Sequence, residues 1–179
     1  RMGKALHEGK LRDKVFLMTK CCGRTAKEAQ SSLDDSLKRL KTDRLDLWQF
    51  HEIVYDNDPD WIFAEDGAIH TALKALKEGK VRYLGFTGHK DPSIHLKMLS
   101  QSFDWATVQM PLNVMDVHYR SFQKQVLPEL NRRQIGVLAM KSLGGTGTIV
   151  TKAGIPVEDA LRYVLSLPIS TLVTGIDSE

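Results

Sequence analysis

The sequence predicts a parallel α/β fold built from repeated strand–helix units. Apolar runs of strand length begin near residues 15, 45, 81, 106, 135 and 171, a spacing of about thirty residues that matches a βα repeat. The stretches between them carry helical periodicity and helix caps. No hairpin signal joins neighbouring strands. This pattern fits a doubly wound sheet or a (β/α)8 barrel lacking two strands, and the spacing alone does not choose between them.

Residues 2–7 read as the end of a helix closed by Gly9. Residues 15–19 form the first strand and run into Lys20. Thr25-Ala26-Lys27-Glu28 fits a capping box, in which Thr25 and Glu28 satisfy each other's backbone N–H groups. Ala26, Ala29, Leu33, Leu37 and Leu40 then keep to one stripe. Leu45–Phe50 is rich in bulky apolar side chains and bounded by Lys41-Thr42-Asp43-Arg44, which predicts a buried parallel strand. Residues 52–67 read as a long loop holding Asp56, Asn57, Asp58, Pro59, Asp60 and Trp61; such loops are often functional lids. A helix over 68–78, with Ile69, Ala72, Leu73 and Leu76 facing in, stops at Gly79. Strand Val81–Thr87 follows, and Asp91-Pro92 caps and opens a helix to about Gln101. A short strand at 106–110 precedes a helix over 121–133 that Pro128 interrupts. Strand Gly136–Met140 ends at Lys141. Pro156 opens a helix in which Val157, Ala160, Leu161 and Val164 line up, and 171–174 is the last strand.

The chain has 179 residues, 42% of them hydrophobic and 26% charged, which suffices for one domain over 1–179 with a sizeable core. A net charge of +3 without a basic tract argues against a nucleic-acid partner. No apolar run is long enough to suggest a membrane span, and neither a span nor a signal peptide is expected. Cys21 and Cys22, the only cysteines, are adjacent; neighbours rarely bridge, and two thiols fall short of a structural zinc site. A reducing, cytoplasmic location is the expectation. No spacing of histidines and carboxylates predicts a metal site.

His51 stands just past the carboxyl end of one predicted strand and Lys20 just past another. Parallel sheets and barrels build their sites there, so the two are candidate catalytic groups on one rim. The alternative is that they are solvated loop starts. His7, His70 and His95 are expected to be exposed, whereas His89 and His118 lie on strand-end loops that could line a substrate pocket. Tyr55 reads as a loop aromatic. Cys21 beside the Lys20 ammonium is expected to have a lowered pKa, and Cys22 to pack as a small apolar residue.

Several segments, in order, resemble the aldo-keto reductases. They are Val15-Phe16-Leu17-Met18-Thr19-Lys20, the helix from Ser32-Leu33 to Leu40, and Asp43-Arg44-Leu45-Asp46-Leu47 with His51. Gly79-Lys80-Val81-Arg82-Tyr83-Leu84-Gly85-Phe86-Thr87 and Gln109-Met110-Pro111-Leu112-Asn113 follow, then Gly136-Val137-Leu138-Ala139-Met140-Lys141-Ser142-Leu143-Gly144-Gly145. The resemblance implies a (β/α)8 TIM barrel, present here as strands three to eight, that reduces a small-molecule aldehyde or ketone by hydride transfer. NADPH is the implied cofactor, with NADH possible. Lys20 matches the family's catalytic lysine and His51 its catalytic histidine. The family's aspartate and proton-donating tyrosine would precede Arg1, so the expectation is a truncated chain, poor in turnover by itself.

The resemblance also implies a cofactor site. Thr87 and Gly88 stand where the family has a serine and an asparagine on the nicotinamide amide, and Gln109 matches a glutamine on the same amide. Met140 replaces the aromatic ring that stacks on the nicotinamide. Lys141, Leu143, Gly144 and Gly145 match the loop along the pyrophosphate, where glycines admit close backbone approach. The adenosine phosphate clamp would follow the last strand. Two other readings remain: a non-catalytic nucleotide-binding subunit, and a Schiff-base lyase using Lys20 or Lys141. The sequence does not fix the oligomeric state.

Overall fold

The computed structural model of the protein describes residues 1–175. Six parallel strands pair in chain order: β1 (Met18–Cys21), β2 (Leu45–Phe50), β3 (Val81–Thr87), β4 (Thr107–Pro111), β5 (Gly136–Met140) and β6 (Thr171–Leu172). The helices are α1 (Met2–Glu8), α2 (Ala26–Leu40), α3 (Asp58–Ile62), α4 (Ala68–Lys77), α5 (Pro92–Ser100), α6 (Phe122–Gln125), α7 (Leu127–Arg132), α8 (Thr148–Lys152) and α9 (Val157–Leu165).

The register sorts the side chains onto two faces. Cys21 pairs with Phe50, Phe50 with Phe86, Phe86 with Val108, and Met110 with Ala139. Residues paired in register share a face, so this row is apolar throughout. It packs with the helices into the main core, where Trp105 sits against Phe50, Phe86 and Phe103 at ring-centroid distances of 5.9, 5.1 and 4.5 Å. On the opposite face Lys20 pairs with Gln49, Gln49 with Gly85, Thr87 with Gln109, and Gln109 with Leu138. That face carries the polar groups, and Gln49, Thr87 and Gln109 are buried on it.

Helix starts follow local chemistry. The Thr25 hydroxyl accepts from the Glu28 N–H, and the Glu28 carboxylate accepts from the N–H groups of Thr25 and Arg24. Asp91 caps α5, accepting from Ser93 N–H at 2.9 Å. Gly79 closes the α4–β3 turn with φ +70, a region open to glycine at little cost.

Several elements differ from the sequence expectation. β1 runs from Met18 to Cys21, not over 15–19, and so contains Lys20. Side chains take the backbone groups ahead of it: Arg12 donates to the Val15 carbonyl, and the Asp46 carboxylate accepts from Leu17 N–H at 2.8 Å. The expected long loop after β2 contains α3, and α8 precedes α9. β4 is shifted by one residue at each end, and β6 ends at Leu172. The 121–133 helix breaks at Val126, before Pro128. Leu73 and Val157 are exposed, and Ala75 takes the inward place on α4. Gly9 is right-handed, while Lys10 carries the positive φ. His95 is fully buried between Phe86 and Phe122, contrary to the exposed position expected of it. His7 and His70 are exposed.

Candidate active site

Lys20 is the third residue of β1, and His51 follows β2 directly. Both lie at the carboxyl ends of neighbouring parallel strands. The ladder continues past β2, because His51 N–H donates to the Cys21 carbonyl at 2.7 Å. Lys20 is half-buried, and so is His51. Burial lowers the pKa of His51, and the Lys20 ammonium and Arg24 lower it further against an opposing pull from Glu52. The imidazole is therefore neutral at neutral pH.

His51 Nδ1 lies 2.9 Å from Oγ1 of Thr87, the last residue of β3. The same oxygen accepts from Glu52 N–H at 3.1 Å. Glu52 has φ +59, so the chain turns sharply just past the histidine. Its carboxylate is 3.3 Å from His89 Nε2, which places His89 on the rim; His118 is exposed on the β4–α6 connection. Tyr55 is exposed, with Lys90 Nζ 5.3 Å from its ring centre.

Next to Thr87 in register is Gln109, 3% exposed. Its Nε2 donates to Met140 Sδ at 3.4 Å, and its Oε1 is buried with no protein partner. An unpaired buried amide oxygen suits an incoming N–H donor such as a nicotinamide carboxamide. Gly88 admits no side chain: a Cβ there would lie 2.4 Å from the Ile53 carbonyl oxygen and 2.6 Å from His95 Cε1. Beyond Met140 the chain turns at Lys141, with φ +55, then at Gly144 and Gly145, with φ +73 and +89. Lys141, Leu143 and Gly145 line a cleft of about 370 Å³ together with Val173, Thr174 and Gly175. Strand-end backbone, glycines and one lysine suit a phosphate-bearing ligand there. The clamp expected after the last strand lies outside the described residues.

The structure overturns the reading of both thiols. Cys21 is buried in the core, and burial raises its pKa despite the nearby Arg24, so the Lys20 ammonium does not activate it. Cys22 is the exposed one. Two groups near the rim had no motif to reveal them. Arg24 and Asp58 form an ion pair at 2.8 Å, largely out of solvent, behind the His51 turn. Gln49, wholly buried beside Lys20 in register, has neither amide atom paired. Only the polar residue at an inward position of β2 could have pointed to it.

Among the described residues, no group of histidines, cysteines and carboxylates could hold a metal ion, and no helix is long and apolar enough to cross a membrane.

A model of the Aldo/keto reductase family matches residues 2–165. L-galactose dehydrogenase from Arabidopsis thaliana is 27% identical over 157 residues, covering 79% of this chain and 46% of its own length. An aldo-keto reductase from Bacillus halodurans, in its holo form, superposes with a TM-score of 0.76 at 22% identity, over 99% of this chain and 66% of that one. Its apo form gives a TM-score of 0.74 at the same identity, over 99% and 65%. The chain thus spans about half the length of the curated relative and just under two thirds of the solved structures. Its six strands are consecutive strands of a (β/α)8 barrel.

Proposed function

The chain belongs to the Aldo/keto reductase family, and from that premise we propose that it serves an oxidoreductase that reduces an aldehyde or ketone with NADPH or NADH. One observation carries the reading. Lys20 and His51 share a rim at neighbouring strand ends, and His51 is tied through Thr87 to the strand pair that presents Gln109. A cation and a neutral imidazole thus stand beside an unpaired amide acceptor.

The cofactor, when bound, supplies the hydride. Gln109 Oε1 would accept from its carboxamide, and Lys141, Leu143, Gly144 and Gly145 would border its phosphates. Met140, held by Gln109, would lie near the ring in place of an aromatic side chain. Thr87 and Gly88 shape the same wall, but the Thr87 hydroxyl is engaged by His51 and Glu52.

The chain's own part in the reaction concerns the carbonyl oxygen, on which negative charge grows as hydride reaches the carbon. The Lys20 ammonium offers a positive field. His51 offers Nε2–H when the Thr87 hydroxyl donates to Nδ1, the tautomer that leaves a donor facing the site. The resemblance assigns the proton that completes the alcohol to a tyrosine outside the matched positions, and Lys20 and His51 are assigned to binding and orienting the oxygen that receives it.

The test is to titrate the protein with NADPH and NADH, then follow cofactor oxidation with a panel of aldehydes and ketones. L-galactose, with the oxidised cofactor, joins the panel because of the relative's name. His51→Gln and Lys20→Met should keep cofactor binding and lower turnover, His51→Gln by roughly a hundredfold. Failure of the parent to bind either cofactor overturns the proposal.

A further inference from the structure

We infer that Arg24, anchored by Asp58, is a positioning residue that sets the backbone turn at His51 and so aims the imidazole into the site. The inference rests on the proposed role of His51 at the carbonyl oxygen and adds the group that holds it there.

One guanidinium serves four acceptors. Nη2 donates to the carbonyls of both His51 and Glu52 at 3.0 Å, Nη1 to the Cys22 carbonyl at 3.1 Å, and Nε to Asp58 Oδ1 at 2.8 Å. The second oxygen of Asp58 accepts from the N–H groups of Val54 and Tyr55 at 2.7 and 2.8 Å. The Arg24 and Asp58 side chains are only 16% and 2% exposed. Burial alone would raise the Asp58 pKa, but these donors overcome it and hold the carboxyl below its ordinary value. The pair therefore stays charged inside the turn that follows β2.

The geometry explains the backbone there. Glu52 has φ +59, a conformation L residues avoid unless something enforces it. That turn brings the carbonyls of His51 and Glu52 onto the same nitrogen of Arg24. From the other side, the Cys22 contact ties the same guanidinium to the loop that leaves β1 after Cys21, two residues past Lys20. Arg24 therefore ties the backbone that follows Lys20 to the backbone of the His51 turn. A lysine cannot reproduce this, because an ammonium is a point charge without the planar fork.

A merely structural ion pair would stabilise the loops without governing the ring, and the test separates the two. In the full chain, Arg24→Lys keeps the positive charge and removes the fork. Asp58→Asn keeps an acceptor for Arg24 but offers only one oxygen. The His51 ring resonances, assigned with His51→Gln, are followed by NMR against pH. The charged and titratable groups around the ring are Lys20, Glu52, Arg24 and His89. Since Arg24→Lys conserves the charge, a change in the His51 resonances and titration midpoint reports displacement of the ring. The expected result is that change in both folded variants. It should accompany a kcat lowered roughly ten- to a hundredfold, with the NADPH KM within about twofold of the parent. Parent-like His51 resonances and kcat in Arg24→Lys overturn the inference. So does a loss of activity that only tracks the unfolded fraction, or unfolding of both variants. If the parent reduces no carbonyl compound, the functional reading fails, while the NMR comparison still judges the positioning of His51.

Discussion

At the scale of the residue, the Thr87 hydroxyl decides what His51 can do. Its oxygen accepts the Glu52 N–H and faces His51 Nδ1 at 2.9 Å. Donation from the hydroxyl to Nδ1 leaves the proton on Nε2, which is the arrangement the proposed chemistry needs. Thr87→Val removes both contacts at nearly constant volume. It should lower kcat/KM roughly fivefold or more, the worth of about 1 kcal/mol of hydrogen bonding. Thr87→Ser keeps the hydroxyl and should recover most of the loss; equal kcat/KM values for the two variants would remove Thr87 from the site. Its neighbour Gly88 answers to folding. An added Cβ there meets a backbone oxygen at 2.4 Å and the buried His95 ring at 2.6 Å. Gly88→Ala should therefore cost about 1–3 kcal/mol, read as a lower urea midpoint, before any effect on cofactor binding is considered.

At the scale of the element, the loop after β5 shows the reverse balance. A Cβ at Gly145 would meet nothing within 4 Å, so the only penalty is a left-handed φ of +89. Gly145→Val should lower stability by only about 1–2 kcal/mol. The same side chain would stand in the cleft proposed for the pyrophosphate, so the NADPH Kd should rise by roughly tenfold or more, about 1.4 kcal/mol. Fluorescence titration and urea unfolding of one protein sample measure both, and an unchanged Kd would dissociate this loop from the cofactor. The legibility of the chain divides along similar lines. β2, β3 and β5 were readable to the residue because each is a largely apolar run that stops at a polar residue or a glycine, and the α2 cap was readable because its chemistry is local. The start of β1 was not, since it depends on Asp46, a side chain from the neighbouring strand. α3 is too short to show a period, and its Asp58 meets an arginine 34 positions away. The rim positions of Lys20 and His51 followed from strand ends alone. Arg24 matters only through contacts that the order of residues does not display, Gln49 through a burial that leaves its amide unpaired, and the cofactor assignments rest on resemblance.

At the scale of the molecule, the burial of His95 couples the fold to pH. The helix that carries it, α5, packs its ring between Phe86 and Phe122 at centroid distances of 5.3 and 4.9 Å, and neither ring nitrogen has a hydrogen-bond partner. Burial lowers its pKa to about 4 from the ordinary histidine value of 6.5. A depressed histidine pKa means that below 6.5 the unfolded chain binds a proton that the native state refuses. The contribution to stability is complete above 6.5 and is lost as pH falls toward 4, at up to about 1.4 kcal/mol per pH unit and about 3 kcal/mol in all. That is a large share of the about 5–15 kcal/mol typical of a folded domain. Asp46 and Asp58 act in another window. Their lowered pKa values give stability that is present above 3.8 and disappears only as pH drops through the native-state values. His51, also lowered but half-exposed, adds a smaller loss in the same direction as His95. Replacing His95 with Phe keeps an aromatic ring between Phe86 and Phe122 and removes the titration. Urea midpoints of His95→Phe should therefore change much less between pH 7 and 5 than those of the parent, with the residual slope belonging to His51. If the two proteins lose stability in parallel over that range, the acid sensitivity of this fold lies elsewhere than in the histidine behind Gly88.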